Sequence, residues 1–210
     1  MKKTLFAFLI LFSGALLSAQ TSQSLETICA SLAAKKNTTG DFIQTKTIKT
    51  NNRKLKSNGT YIISQEGILW KTSKPVPVSL ILTEDAMIQI APNGKKSVMS
   101  GKDNDVFSNI SEVLSSVFSG NVDALKKNFN CKFEMKSGSE WAVNLEPKDS
   151  TIASVMSTLV LSGILSDANG AEMTSLVMTE ASENSIIYEF KNQKYPKELS
   201  ADEKKNFVVE

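Results

Sequence analysis

Residues Cys131–Glu146 read CKFEMKSGSEWAVNLE. Cys131, Phe133 and Met135 alternate with Lys132, Glu134 and Lys136, and Trp141, Val143 and Leu145 alternate with Ala142, Asn144 and Glu146. Successive side chains of a strand point to opposite faces, so a period of two means a sheet with one apolar face and one wet face. Ser137-Gly138-Ser139 separates the two runs and joins them as a hairpin. This pair sets the fold class.

The same period recurs on both sides of it. Upstream, Phe42 with Ile43, then Leu55 to Ile63, Ile68 with Trp70, Val78 to Leu82, Met87 to Ile90 and Ser97 to Met99 read as successive strands. Pro75 and Pro77 stand between the Trp70 strand and the next, because neither could donate a ladder hydrogen bond within a central strand. Asn93-Gly94 suits a tight hairpin turn. Downstream, Leu159 and Leu161, Leu176 and Met178, then Ile186, Tyr188 and Phe190 continue the series. Two intervals change to helical spacing. Ser22 to Lys36 places Leu25, Ile28, Cys29, Leu32 and Ala33 on one face, with Lys35 and Lys36 favouring its end. Val106 to Phe118 is a second apolar stripe, stopped at Gly120, after which Asn121 can cap a short helix through Asn128. Strand connections are mostly too short for crossover helices, so the sheet is expected to be antiparallel, apolar on one face and polar on the other. A sheet of about ten strands curls. Its helical cover is small, which leaves either a hollow on the apolar side or a core that side chains fill.

Composition removes other classes. The chain opens MKKTLFAFLILFSGALLSAQ, the layout of a secretory signal peptide covering residues 1–19, with cleavage near Ala19 or Gln20. Its apolar run is shorter than the roughly 20 residues a membrane-spanning helix needs. Residues 20–210 then form one exported domain. Lys2 and Lys3 leave with the leader, reducing 24 basic residues to 22 against 22 acidic ones. Arg53 is the single arginine, so bidentate readout of phosphates or bases has almost no donors and nucleic acid is an improbable partner. Without histidine there is no Ser-His-Asp or Cys-His arrangement and no common histidine-bearing metal site. Carboxylate pairs at Glu84-Asp85 and Asp103 with Asp105 sit in turn-like polar stretches. No enzyme activity, cofactor or metal is expected. Cys29 and Cys131 could pair in an oxidising compartment or remain separately buried thiols.

One ordered set of motifs adds to this reading. Gly40-Asp-Phe42-Ile-Gln44, then Leu55 to Ser57 with Gly59-Thr60, then Gly67-Ile-Leu-Trp70 followed five residues on by Pro75, resemble the outer-membrane lipoprotein carrier family, the LolA-like proteins. Leu114 to Phe118 with Ser119-Gly120, Phe129, Trp141-Ala-Val-Asn-Leu145-Glu-Pro147-Lys-Asp149 and the closing Ile186, Tyr188 and Phe190 agree with it. The resemblance implies a mainly β protein: an unclosed antiparallel β-barrel of about ten or eleven strands with a helical lid over a hydrophobic cavity that holds acyl chains. It implies a periplasmic monomer that carries lipoproteins, or a related lipid, from an inner-membrane release complex to an outer-membrane acceptor, touching membranes only transiently. Carried onto this chain, the lipid-binding wall comprises Ile68, Trp70, Leu80, Leu82, Phe133, Trp141, Val143, Leu145, Leu159, Leu161, Met178 and Tyr188. The Val106–Phe118 helix is the expected lid, presenting Phe107, Ile110, Leu114, Val117 and Phe118. Family members of proteobacteria latch the lid with an arginine about six residues before the tryptophan; here that region holds Ser64 and Gln65. A lipid-sensing regulatory module and a β-rich structural module with a filled core are the competing readings.

Overall fold

The computed structural model describes residues 24–83, 86–100, 115–117, 119–136 and 138–208. Eleven strands form one sheet: β1 (Thr38–Ile48), β2 (Arg53–Ser64), β3 (Gly67–Lys74), β4 (Val78–Leu82), β5 (Ala86–Ile90), β6 (Lys96–Ser100), β7 (Phe129–Met135), β8 (Glu140–Pro147), β9 (Met156–Ser166), β10 (Gly170–Glu180) and β11 (Ser185–Lys194). Their order is β6-β5-β4-β3-β2-β1-β11-β10-β9-β8-β7, and every described pairing is antiparallel. Two meanders are therefore stitched together by β1 and β11, and β6 and β7 are left as the two edges of an unclosed sheet. The connection holding Pro75 and Pro77 lies between β3 and β4, as the sequence requires.

The sheet is strongly curled. Met87 on β5 and Met156 on β9 face one common hollow, although β5 is second and β9 ninth in the strand order. In a flat sheet they would stand roughly 34 Å apart at ~4.8 Å per strand. Gly59 marks one bend. It sits at a register shift between β2 and β3, and a Cβ there would fall 1.9 Å from the Lys71 carbonyl oxygen.

Helices fill the trough on one side. In α1 (Leu25–Ala33) the Ser24 hydroxyl accepts from the Thr27 N–H at 3.3 Å, and Leu25, Ile28, Cys29 and Leu32 are buried against β10. α2 (Val122–Asn128) starts at Asn121, whose side chain accepts from the Ala124 N–H at 3.0 Å, and packs on β7. A 2.5 Å contact between Glu26 and Lys126 ties these two helices. α3 (Ser150–Ala153), capped by Asp149, follows β8, and α4 (Ala201–Lys205) closes the described chain. No described helix is long and apolar enough to cross a membrane.

Two expectations need correction. Lys35 and Lys36 lie beyond α1, which ends at Ala33; the Lys35 ammonium instead donates to the Ala171 carbonyl and sits 4.2 Å over the Tyr195 ring. The convex face is not uniformly polar either. Ile62, Leu69, Ile81 and Ile88 form an outer apolar patch, and Leu199 and Phe207, flanking α4, cover it. Strands β2 to β5 are thus covered on both faces, which explains their unbroken pairs Ile62-Ile63, Ile68-Leu69, Ile81-Leu82 and Met87-Ile88.

Candidate functional site

The concave side divides into a packed half and a hollow half. Under α1 and α2, Trp141 and Leu161 are 1% exposed and Leu145 is 0% exposed, inside one continuous cluster with Ile28, Leu125 and Phe129. Gly163 makes room for the large indole there, since a Cβ at that position would lie 2.4 Å from Trp141 Cζ2. Beside those residues lies a cavity of about 490 Å³, lined by β3, β4 and β5 on one side and by β9, β10, β11 and β1 on the other; its Leu82, Met87, Met156, Leu159 and Leu176 belong to the same buried cluster. Its volume falls in the range of about 300–1,000 Å³ typical of ligand sites.

Of the residues expected on the wall, Trp70, Leu80, Leu82, Leu159, Met178 and Tyr188 line this cavity. Ile68 is buried beside it and also borders a second opening of about 430 Å³ at the β2–β3 turn; Leu82 lines both. The structure does not bring Trp141, Val143, Leu145, Leu161, Phe133 or Val117 to the 490 Å³ hollow. The first four and Val117 are buried in the core cluster, with Phe133 packed against it. Phe107, Ile110, Leu114 and Phe118 lie outside the described residues, as do Glu84, Asp85, Asp103 and Asp105. Sequence reasoning missed Gln44, Thr72, Val78, Gln89, Met156 and Leu176 as wall residues, and named Met87 only as a strand methionine. Gln44 was within reach: it belongs to the quoted Phe42-x-Gln44 motif and stands two residues from buried Phe42 on the same face of β1.

Trp70 is the hub of the wall. Its ring centroid is 5.7 Å from Phe42, 5.8 Å from Tyr61, 5.2 Å from Tyr188 and 5.9 Å from Phe190, within the range of aromatic pairs that stabilise each other. The two tryptophans differ in one respect. Trp141 Nε1 donates to the Ile164 carbonyl at 3.2 Å, whereas Trp70 Nε1 is buried with no partner among the described residues. The other polar lining groups are Gln44, Thr72, Gln89 and the Tyr188 phenol, which burial pushes up to about 12 so that it stays neutral. No described lining residue carries a charge. The wall can therefore desolvate hydrocarbon and offer a few neutral hydrogen bonds.

Cys29 and Cys131 are both free thiols, the first buried and the second half-buried, so of the two alternatives left open by the sequence the structure contains the unpaired one. Among the described residues no group of three or more His, Cys, Asp or Glu could hold a metal ion.

The profile of the family described as outer membrane lipoprotein carrier protein LolA matches residues 34–205. No curated protein matches the chain. Among solved structures it is similar to a LolA superfamily protein from Nitrosomonas europaea, with a TM-score of 0.45 and 9% identity over 87% of this chain and 98% of that one. It is similar also to the lipoprotein LppX of Mycobacterium tuberculosis, with a TM-score of 0.44 and 11% identity over 84% of this chain and 98% of that one. A third is a DUF1329 family protein from Desulfovibrio piger, with a TM-score of 0.49 and 12% identity over 84% of this chain and 92% of that one. With a family match that spans most of its length and an unclosed eleven-stranded antiparallel sheet, this chain belongs to the LolA family of outer membrane lipoprotein carriers.

Proposed function

We propose that the protein is an exported carrier that seats the acyl chains of a lipoprotein, or of a related lipid, in the 490 Å³ hollow and shuttles them across the periplasm from inner to outer membrane. Family membership supports a carrier or binding protein rather than an enzyme. The observation that carries the reading is the largely apolar hollow on the concave side of the curled sheet. Keeping a 16-carbon chain out of water is worth on the order of 12 kcal/mol at ~0.8 kcal/mol per methylene, so an acyl chain leaves a membrane very slowly without a comparably apolar seat. The hollow supplies such a seat. Its Met87, Met156 and Met178 are unbranched and adaptable, suited to closing around a chain and releasing it again.

The leader at residues 1–19 would direct export. Loading and unloading then need an inner-membrane release complex and an outer-membrane acceptor, with the carrier working as a monomer in transient membrane contact. A two-vesicle assay tests the proposal. Purified mature protein should speed the movement of a fluorescent diacyl lipid from donor to acceptor vesicles in proportion to its concentration, and Leu176→Trp, which narrows the hollow, should abolish the acceleration. Transfer that is no faster with protein than without it would refute the carrier role.

A further inference from the structure

We propose that the hollow selects cargo whose chains are joined to the head through a neutral carbonyl, an ester or amide, and that Trp70 and Gln44 recognise that carbonyl. The inference rests on the lipid-carrier reading above and adds the residues that recognise the linkage.

A wall meant only for hydrocarbon has no use for hydrogen-bond donors. Buried donors without partners are costly and native structures keep few of them, so each asks for an explanation. Trp70 Nε1 is such a donor on the wall. Gln44 supplies a further donor, on a half-buried side chain. Its Oε1 accepts from Ser57 Oγ at 2.6 Å, which leaves the amide NH2 without a partner among the described residues, on a side chain that lines the same hollow. Tyr188 links the two positions: it is the register partner of Gln44 and its ring centroid is 5.2 Å from that of Trp70. Thr72, two residues from Trp70 on the same face of β3, extends this polar section.

Gln89, exposed and aligned with Trp70 through Leu80, is polar as well, and the rest of the wall is different in kind. Leu82, Met87, Met156 and Leu159 offer no strong donor or acceptor side-chain group. One part of the hollow thus suits a polar linkage and the rest suits tails. The described wall suits an uncharged linkage. A free carboxylate would need a cation beside it when taken out of water, and no described lining residue is charged. Esters and amides present an acceptor oxygen at no such cost, whereas ether-linked chains lack the carbonyl and free fatty acids bring a charge.

The test uses a short-chain diester phosphatidylcholine and its dialkyl ether analogue, both below their micellar concentrations, with protein carrying 15N-labelled tryptophan. The chain has two tryptophans, so two indole N–H signals are expected, and Trp141, already bonded to Ile164, is the internal control. The diester should bind several-fold to about tenfold more tightly than the ether, the usual effect of one neutral hydrogen bond, and it alone should move the Trp70 indole signal downfield. Trp70→Phe should reduce the preference to about twofold or less, whatever it does to the affinity for the ether. Equal affinities with equal indole shifts would overturn the linkage inference and leave the carrier reading intact. A Trp70→Phe variant that keeps the full preference would do the same. Failure of both lipids to bind would overturn the two together. The wild-type indole shift decides the matter even if Trp70→Phe does not fold.

Discussion

Two leucines on the same concave face should respond very differently to truncation. Leu161 on β9 is 1% exposed inside the packed cluster, while Leu80 on β4 is half-buried with one side on the hollow. Leu161→Ala removes about three methylene-sized groups, roughly 2.4 kcal/mol of transfer free energy at ~0.8 each, and leaves a void where none existed. The observed span for such changes in packed cores is about 2.7–5.0 kcal/mol. Leu80→Ala gives up less transfer free energy because part of the side chain is not covered, and it enlarges an existing space rather than opening one. About 1 kcal/mol is expected. Urea unfolding followed by far-UV circular dichroism measures both. With an m-value of ~2 kcal/mol per molar, Leu161→Ala should lower the midpoint by about 1.5 M or more and Leu80→Ala by about 0.5 M, at unchanged m. If both variants lose the same stability to within about 0.5 kcal/mol, the two halves are equally packed and the hollow is not a standing feature of the fold.

Gly163→Ala should destabilise strongly, by about 2 kcal/mol or more, because the new Cβ would lie 2.0 Å from the Glu172 carbonyl oxygen as well as against Trp141; thermal unfolding measures the loss, and an unchanged Tm would contradict the close packing. Glu26 is held down to about 2, chiefly by its hydrogen bond with Lys126. A depressed carboxyl stabilises above its unfolded value near 4.5 and loses that contribution as pH falls toward 2, so the clasp between α1 and α2 should weaken in that window. Carboxyl-selective NMR titration should show Lys126→Met returning Glu26 toward 4.5. Burial pushes the Cys29 thiol up to about 11, so near pH 8 an alkylating reagent should modify half-buried Cys131 first and reach Cys29 only after unfolding. Equal rates on the folded protein would contradict the burial of Cys29.

The strands were legible because each keeps a period of two over several residues, and the curl followed from strand number set against scarce helices. Asn121 and Gly120 announced α2 through ordinary capping chemistry. Three features escaped. The outer patch of Ile62, Leu69, Ile81 and Ile88 was hidden in apolar doublets, which show that a strand is covered on both faces without showing what covers it. α4 carried a readable signal in Ser200-x-x-Glu203, a reciprocal cap formed in the structure, but its apolar flanks Leu199 and Phe207 are too few for periodicity to stand out. The third is the division between packed and hollow halves. Trp141 and Trp70 both sit in apolar stretches of strand, and the placement of α1 on β10 and α2 on β7 sets the packed surroundings of one apart from the hollow beside the other. Alternation reports which face a side chain is on. It does not report what lies opposite across a curled sheet.

Native mass spectrometry of the mature protein mixed with a diester phospholipid tests the central claim most directly, with Leu176→Trp alongside. The account predicts a saturable one-to-one complex for the wild-type protein and its loss, with the fold retained by circular dichroism, when the added ring occupies the hollow. Absence of a complex with the wild-type protein, or equal binding by both, would contradict the claim that the curled sheet keeps an acyl-chain seat.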